Sequence, residues 1–151
     1  IVQDLQIEVI DLSTRNISPY DYEHKNRDDD FEPLMQHVLG FDQVILASPV
    51  YWYGVSTPMK TFLDRLCDFL DLPELQEQGR QLRGKRGFVV CTSYQSEADP
   101  AFIGALRQTF EYMGMEYGGK VHANCRDGYH EALFASQITG FVTRVQNGNA
   151  A

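Results

Sequence analysis

The stretch that decides the fold covers residues 43–70 and reads QVILASPVYWYGVSTPMKTFLDRLCDFL. It begins with an apolar run at residues 44–47, whose short length and β-branched side chains are typical of a buried parallel strand. Thr57 as N-cap and Pro58 at the first helical position then predict a helix that continues to Leu70. Open α/β sheets bind ligands at the carboxyl ends of their strands, so the loop between this strand and this helix is the first candidate binding site.

That loop contains three consecutive aromatic residues and a glycine: Tyr51, Trp52, Tyr53 and Gly54. Three adjacent aromatic side chains are costly to expose and cannot all point into one core. Flat rings beside a glycine, which allows close approach of the backbone, suit a planar aromatic ligand better than a sugar or an ion. The alternative is that Trp52 and one tyrosine cap the core or fill a subunit interface. The residues alone leave both alternatives open.

The segment ASPVYWYGVSTPMKTFLDR, at residues 47–65, resembles the flavin-binding segment of the NAD(P)H-dependent FMN reductase family, which has the flavodoxin-like fold. In that family a Pro-Val-Tyr-Trp-Tyr-type segment lies along the isoalloxazine ring, and the next helix often ends in a Phe-x-Asp-Arg pattern. The resemblance implies that the ring is lined by Pro49, Val50, Tyr51, Trp52, Tyr53 and Gly54. It implies a second contact, with the pyrimidine edge of the ring, from Thr92, Ser93 and Tyr94.

The resemblance implies FMN and NAD(P)H as cofactors, and a small-molecule electron acceptor such as a quinone or a free flavin. The flavin would carry the chemistry, so we name no catalytic acid or base and no metal ligand. A second hypothesis is a flavodoxin-like electron carrier reduced by a partner protein, which fits the net charge of −8 because carriers dock through charge complementarity. A third is a domain that has lost its flavin and serves as a binding or assembly module. The family also implies a homodimer with the site near the interface.

Composition narrows the class of protein. The 151 residues carry a net charge of −8, which argues against nucleic-acid binding, and no apolar run reaches the length of a membrane span. Cys67, Cys91 and Cys125 stand singly, which suits neither a zinc site nor an iron–sulfur cluster. One branch of the family carries a cysteine cluster for an iron–sulfur centre, and this sequence lacks it. We expect buried free thiols and a reducing cytoplasm.

Alternating strand and helix patterns along residues 1–151 predict a single α/β domain, a three-layer sandwich with a parallel sheet covered on both faces. We predict strands at residues 5–12, 87–92 and 115–123, and helices at residues 31–39, 100–113 and 129–146. Asp28, Asp29 and Asp30 favour capping of the first helix over a metal site, because consecutive side chains diverge. His122 lies in a strand without a partner motif, and we expect it to be structural.

Residues 71–86 lack an apolar period and predict a surface excursion between elements. They carry a basic cluster, which is either a solvated charge run or a site that attracts the phosphates of a nicotinamide cofactor. The members of this cluster are Arg80, Arg83, Lys85 and Arg86.

A flavodoxin-like domain is expected to begin with a strand, a phosphate-binding loop and a first helix, whereas this sequence begins near the expected second strand. Because the first strand lies centrally in that sheet order, its loss would leave unpaired strand edges. Three explanations are open: the sequence given omits an N-terminal segment, the sheet closes without that strand, or a partner chain inserts one. We favour omission, which an intact mass above 17.2 kDa would support. The residues that bind the FMN phosphate are therefore not named.

Overall fold

The computed structural model describes residues 7–147 and has a three-stranded parallel sheet with helices on both faces. The strands are β1 (Gln43–Pro49), β2 (Arg86–Ser93) and β3 (Glu116–Asn124), in the order β1-β2-β3. The helices are α1 (Phe31–Val38), α2 (Thr57–Arg65), α3 (Asp68–Asp71), α4 (Pro73–Arg80), α5 (Pro100–Tyr112) and α6 (Glu131–Asn147). The predicted α/β class with a parallel sheet is confirmed.

The two faces of the sheet carry cores of different size. The larger core lies between the sheet and α1 to α5, and its members include Phe31, Leu46, Phe62, Phe69, Val89, Cys91, Phe102, Leu106 and Phe110. On the opposite face α6 packs Phe141 and Val145 against Phe88, with the two phenylalanine rings 5.6 Å apart edge to face. Successive residues of β2 therefore alternate between the two cores, as the pleat of a strand requires.

Two glycines of the sheet make room for phenylalanine rings, one from α5 and one from the neighbouring strand. A Cβ on Gly87 would lie 2.4 Å from the ring of Phe110, and a Cβ on Gly118 would lie 2.3 Å from the ring of Phe88. The register between β2 and β3 shifts at Gly87 and Phe88. Side chains at these two positions would displace phenylalanines on both faces of the sheet.

The strand predicted at residues 5–12 is wrong over its described part. Residues 7–11 are irregular, and Leu12–Thr14 forms a single 3₁₀ turn in which Asp11 Oδ1 accepts the Ser13 N–H at 2.9 Å. Ile7 and Val9 are exposed. A strand needs a neighbouring ladder, and the described part of the chain supplies none to this segment. The first two residues of the prediction lie outside the described residues.

The helix predicted to reach Leu70 is interrupted at Leu66 and Cys67, and its N-cap is Ser56 rather than Thr57. α2 ends at Arg65 and a separate short helix, α3, begins at Asp68. The predicted surface excursion at residues 71–86 in fact contains α4. A Cβ on Gly79 would lie 2.8 Å from the Phe69 Cβ, so this glycine lets α4 pack closely on α3.

The remaining predicted elements agree with the structure to within two residues at each end. Asp99 caps α5 by accepting the N–H groups of Ala101 and Phe102. Asp29 Oδ1 accepts the Phe31 N–H at 2.9 Å, so the capping of α1 is confirmed for this carboxylate.

Candidate functional site

The carboxyl ends of the three strands meet at one edge of the sheet. Pro49 pairs with Thr92, and the Val50 N–H extends this ladder by donating to the Thr92 carbonyl at 2.9 Å. On the other side of β2, the Cys125 N–H donates to the Ser93 carbonyl at 2.8 Å. The two segments proposed from the sequence, residues 49–54 and 92–94, therefore lie at the same edge.

The aromatic loop forms a tight turn. The backbone groups of Tyr51 and Gly54 exchange two hydrogen bonds of 2.9 Å, which leaves Trp52 and Tyr53 at the tip with φ values of 50° and 65°. Two-residue turns with both tip residues left-handed strongly prefer Asn-Gly, and a side chain in this conformation costs roughly 1–2 kcal/mol per residue. Gly54 itself has no such requirement, since a Cβ there would meet only Tyr51 O at 3.6 Å.

The rings of this turn point away from the core. Trp52 is 96% exposed, and Tyr51 and Tyr53 are each 62% exposed. Tyr94, from the loop after β2, is also exposed. The alternative in which Trp52 caps the core is therefore wrong, and a planar ligand or a second subunit remains to explain the aromatic turn.

Ser48 fixes the two ends of the loop that carries these rings. Its buried hydroxyl donates to the Pro49 carbonyl at 2.8 Å and accepts the Ser56 N–H at 2.9 Å. The sequence reasoning missed this residue. The signal that could have found it is a small hydroxyl side chain at the last buried position of an apolar strand.

Ser93 is held by the neighbouring strand. Its Oγ lies 2.8 Å from His122 Nε2 and accepts the Gln95 N–H at 3.1 Å. His122 is buried, and burial lowers the pKa of its imidazole, which favours the neutral ring. The contact with Ser93 agrees with the structural role expected for His122. These contacts use two of the three hydrogen bonds that the Ser93 hydroxyl can make, and its contact with a flavin stays a prediction.

At the C-terminal end of α2 lies a buried charge cluster centred on Arg65, the arginine of the Phe-x-Asp-Arg pattern. Its Nε donates to Asp68 Oδ2 at 2.7 Å, its Nη1 binds Asp29, and its guanidinium lies 4.7 Å from the Phe31 ring centre. Asp68 Oδ1 is 3.0 Å from His24 Nδ1. Burial alone would lower the pKa of Arg65, but its bonds to the two carboxylates raise the pKa on balance. The cluster pins the loop before α1 to α2 and α3, and its role is structural.

The basic cluster of residues 80–86 lies at the amino end of β2, at the opposite edge of the sheet from the aromatic turn. Lys85 Nζ donates to the carbonyls of Leu39 and Phe41 at 2.9 and 2.6 Å. Arg86 donates to the Arg144 carbonyl, and Arg80 pairs with the exposed Glu77. Three of its four cations thus have partners in the fold, which argues against a shared phosphate site at this end.

All three cysteines are free thiols. Cys91 is buried as expected, whereas Cys67 and Cys125 are only partly buried. Burial raises the pKa of both the Cys67 and the Cys91 thiol. Among residues 7–147 there is no group of three metal-binding side chains and no helix long and apolar enough to cross a membrane.

Comparison with known proteins gives the family. The family model described as NADPH-dependent FMN reductase matches residues 2–127. This chain belongs to the NADPH-dependent FMN reductase family. The assignment confirms the resemblance that the aromatic segment suggested.

Two curated relatives match shorter parts of the chain. YwqN of Bacillus subtilis (strain 168), a candidate NAD(P)H-dependent FMN-containing oxidoreductase, is 27% identical over 95 residues, which is 62% of this chain and 52% of YwqN. An iron-sulfur flavoprotein of Archaeoglobus fulgidus is 46% identical over 48 residues, or 32% of this chain and 22% of that protein. The chain thus spans about half the length of the first of these relatives.

A solved structure supports the fold. The Trp repressor binding protein from Bacillus subtilis superposes with a TM-score of 0.57 at 26% identity, over 62% of each chain. The fold of this chain is flavodoxin-like, as expected.

Proposed function

We propose that this chain binds FMN at the carboxyl edge of its sheet and acts as an NAD(P)H-dependent oxidoreductase that reduces a small acceptor, such as a quinone or a free flavin. The observation that carries the proposal is the turn of exposed rings, with Trp52 and Tyr53 held in a left-handed conformation, in a member of this family. Strained backbone that presents side chains to solvent is typical of ligand sites.

The residues at this edge fit the isoalloxazine ring. The aromatic faces of Trp52 and its neighbours offer stacking, while Pro49 and Val50 offer apolar contact beside them. The groups of Thr92, Ser93 and Tyr94 are proposed to meet the polar edge of the ring. Bound FMN would supply the redox chemistry, accepting hydride from NAD(P)H and passing electrons to the acceptor. The chain would orient the ring and exclude water from one of its faces.

The FMN phosphate needs a separate site. The N-terminus of α5 also opens at this edge, but the Asp99 carboxylate already accepts two of its N–H groups, at 2.9 and 3.1 Å. An anion would have to displace a negative charge there, so we do not place the phosphate at α5.

The assembly and location follow from the same features. We propose a homodimer in which the partner covers part of the aromatic turn, because three exposed adjacent rings are costly for a monomer. Three free thiols favour a cytoplasmic location. Light scattering tests the dimer, and a monomer at working concentration would contradict it.

The test of the flavin site is retention of FMN. Full-length protein is incubated with FMN, desalted and examined by visible absorption, and we expect flavin bands. Trp52→Ala is expected to weaken FMN binding about 10- to 100-fold, since stacking of a base on an aromatic side chain contributes about 1–3 kcal/mol. Tyr112→Ala is the matched control, because Tyr112 is a similarly exposed ring on α5 away from this edge. Equal FMN affinity of the Trp52 variant and the wild type would contradict the proposed site.

Anaerobic addition of NADPH then separates the functions. Bleaching of the bound flavin supports the reductase. Retained flavin that neither NADPH nor NADH bleaches favours the electron carrier, which the net charge of −8 would suit for docking. A colourless full-length protein that takes up no FMN would indicate a binding or assembly module.

A further inference from the structure

A cavity lies at the same edge of the sheet, at the end of β3. It has a volume of about 470 Å³ and lies between the loop after β2 and the loop that leads into α6. Tyr94 lines it and also belongs to the segment proposed to contact the flavin. The volume is within the range of small-ligand sites, about 300–1,000 Å³.

One wall of the cavity is polar and carries a cation. Arg126 lines it, and only its backbone N–H is used locally, donating to Asn124 Oδ1 at 2.9 Å. Its guanidinium makes no ion pair within residues 7–147, unlike that of Arg65, which pairs with Asp29 and Asp68. His130 and Asp127 lie on the same wall. A free guanidinium presents a planar fork of donors that matches phosphate oxygens.

The other wall is aromatic. Phe134 is buried beneath the cavity, and its ring stacks on Tyr129 with an interplanar angle of 8°. Tyr94 faces the cavity from the loop after β2. Aromatic rings and an arginine in one cavity suit a nucleotide, which has a flat base and a phosphate. A carboxylate accepts hydrogen bonds from ribose hydroxyls, and a ribose with a 2′-phosphate offers its 3′-hydroxyl.

We propose that this cavity binds the adenosine 2′-phosphate end of NADPH, with Arg126 on the 2′-phosphate, Asp127 on a ribose hydroxyl and the aromatic wall beside the adenine. The proposal rests on the proposed function, because it supplies the electron donor for the same site. Tyr94 lines the cavity and also belongs to the proposed flavin site, so a dinucleotide held in the cavity lies at the sheet edge proposed for the flavin ring. It also gives the chain a preference for NADPH over NADH.

The test uses adenosine 2′,5′-bisphosphate, which carries the 2′-phosphate and no nicotinamide, titrated calorimetrically into FMN-treated full-length protein. We expect binding by wild type, at least tenfold weaker binding by Arg126→Ala, and an intermediate affinity for Arg126→Lys. Adenosine 5′-monophosphate, which lacks the 2′-phosphate, is expected to bind more weakly and to be insensitive to Arg126→Ala. Arg107→Ala is the control, because Arg107 pairs with Glu111 on α5, outside the cavity.

Several outcomes would overturn the proposal. They are no binding of the bisphosphate, equal losses for both nucleotides, or an Arg126→Ala protein whose KM for NADPH is unchanged. The proposed function fails differently, through loss of FMN retention or of NADPH-dependent bleaching in wild type. Arg126→Ala is expected to retain FMN. A wild type that binds no FMN would therefore contradict the proposed function, whereas a wild type that binds FMN but not the bisphosphate would contradict only the nucleotide site.

Discussion

Two regions that follow β1 reverse the usual distribution of side chains. The indole of Trp52 is almost fully exposed, whereas the guanidinium of Arg65, in the next helix, is completely buried. Every protein interior favours the opposite arrangement. The difference between them lies in what each side chain contacts within the fold.

The buried arginine is provided with partners by the chain itself. Asp29 and Asp68 face it with side chains that are 1% and 2% exposed, and the Phe31 ring lies beside it. The aromatic turn has strained backbone and rings without comparable contacts in the described residues. The first region is therefore part of the scaffold, and the second is the region that we propose binds the flavin.

The largest expected effect comes from breaking the buried cluster. Arg65→Met leaves two carboxylates buried without their cation, and we expect the free energy of unfolding to fall by about 3–5 kcal/mol. Urea denaturation followed by far-UV circular dichroism measures it. Arg80→Met, which removes an exposed ion pair, is the control, with an expected change of about 0–1 kcal/mol.

Arg65→Met is at risk of not folding, so a compensated variant accompanies it. Arg65→Met with Asp29→Asn and Asp68→Asn removes the unpaired charges and is expected to recover most of the lost stability. A single variant as stable as wild type would show that the cluster is not the anchor described above.

A smaller effect is expected from acid. Burial would raise the pKa of Asp29, but N–H donors of Ser18 and Phe31, together with Arg65, hold it below its usual value. The stability from this carboxylate is then complete above its unfolded pKa of about 3.9 and is lost as pH falls through the lower folded value. Unfolding free energies measured from pH 6 down to pH 2 should fall less steeply for Asp29→Asn than for wild type. Parallel curves would contradict the assignment.

The smallest expected change in stability tests the aromatic turn. Replacing Trp52 and Tyr53 by Asn and Gly supplies the residues that a left-handed turn prefers, and we expect a gain of about 1 kcal/mol. FMN affinity should fall at the same time, which a flavin titration measures. Tyr53→Phe keeps the strained backbone and serves as the control. If the variant is more stable and binds FMN with unchanged affinity, the strained backbone of the turn is not needed for FMN binding.

The fold was largely predictable because its signals are local. Short apolar runs gave β1 and β2, and the Asp99-Pro100 pair gave the start of α5. The position of the aromatic turn at the strand ends was predictable for the same reason. Helix α4 was missed because its buried side consists mainly of Leu75 and a glycine, too few residues to give a period.

What was missed depends on pairs distant in sequence. Arg65 meets Asp29 across 36 residues, and Ser93 meets His122 across 29. The residues adjacent to Asp29 in the sequence do not show whether its carboxylate caps a helix or pairs with a buried arginine. The cavity at Arg126 likewise forms only when the loops after two strands meet.

The exposed position of Trp52 also has an optical consequence, because this is the only tryptophan in the sequence. Where neither a ligand nor a second subunit covers the ring, its fluorescence should have the red-shifted emission of a solvated indole, and unfolding should change it little. A ring stacked on it would quench it strongly. The chain thus carries an intrinsic fluorophore that reports occupancy of the proposed site and is nearly silent about the folding of the rest.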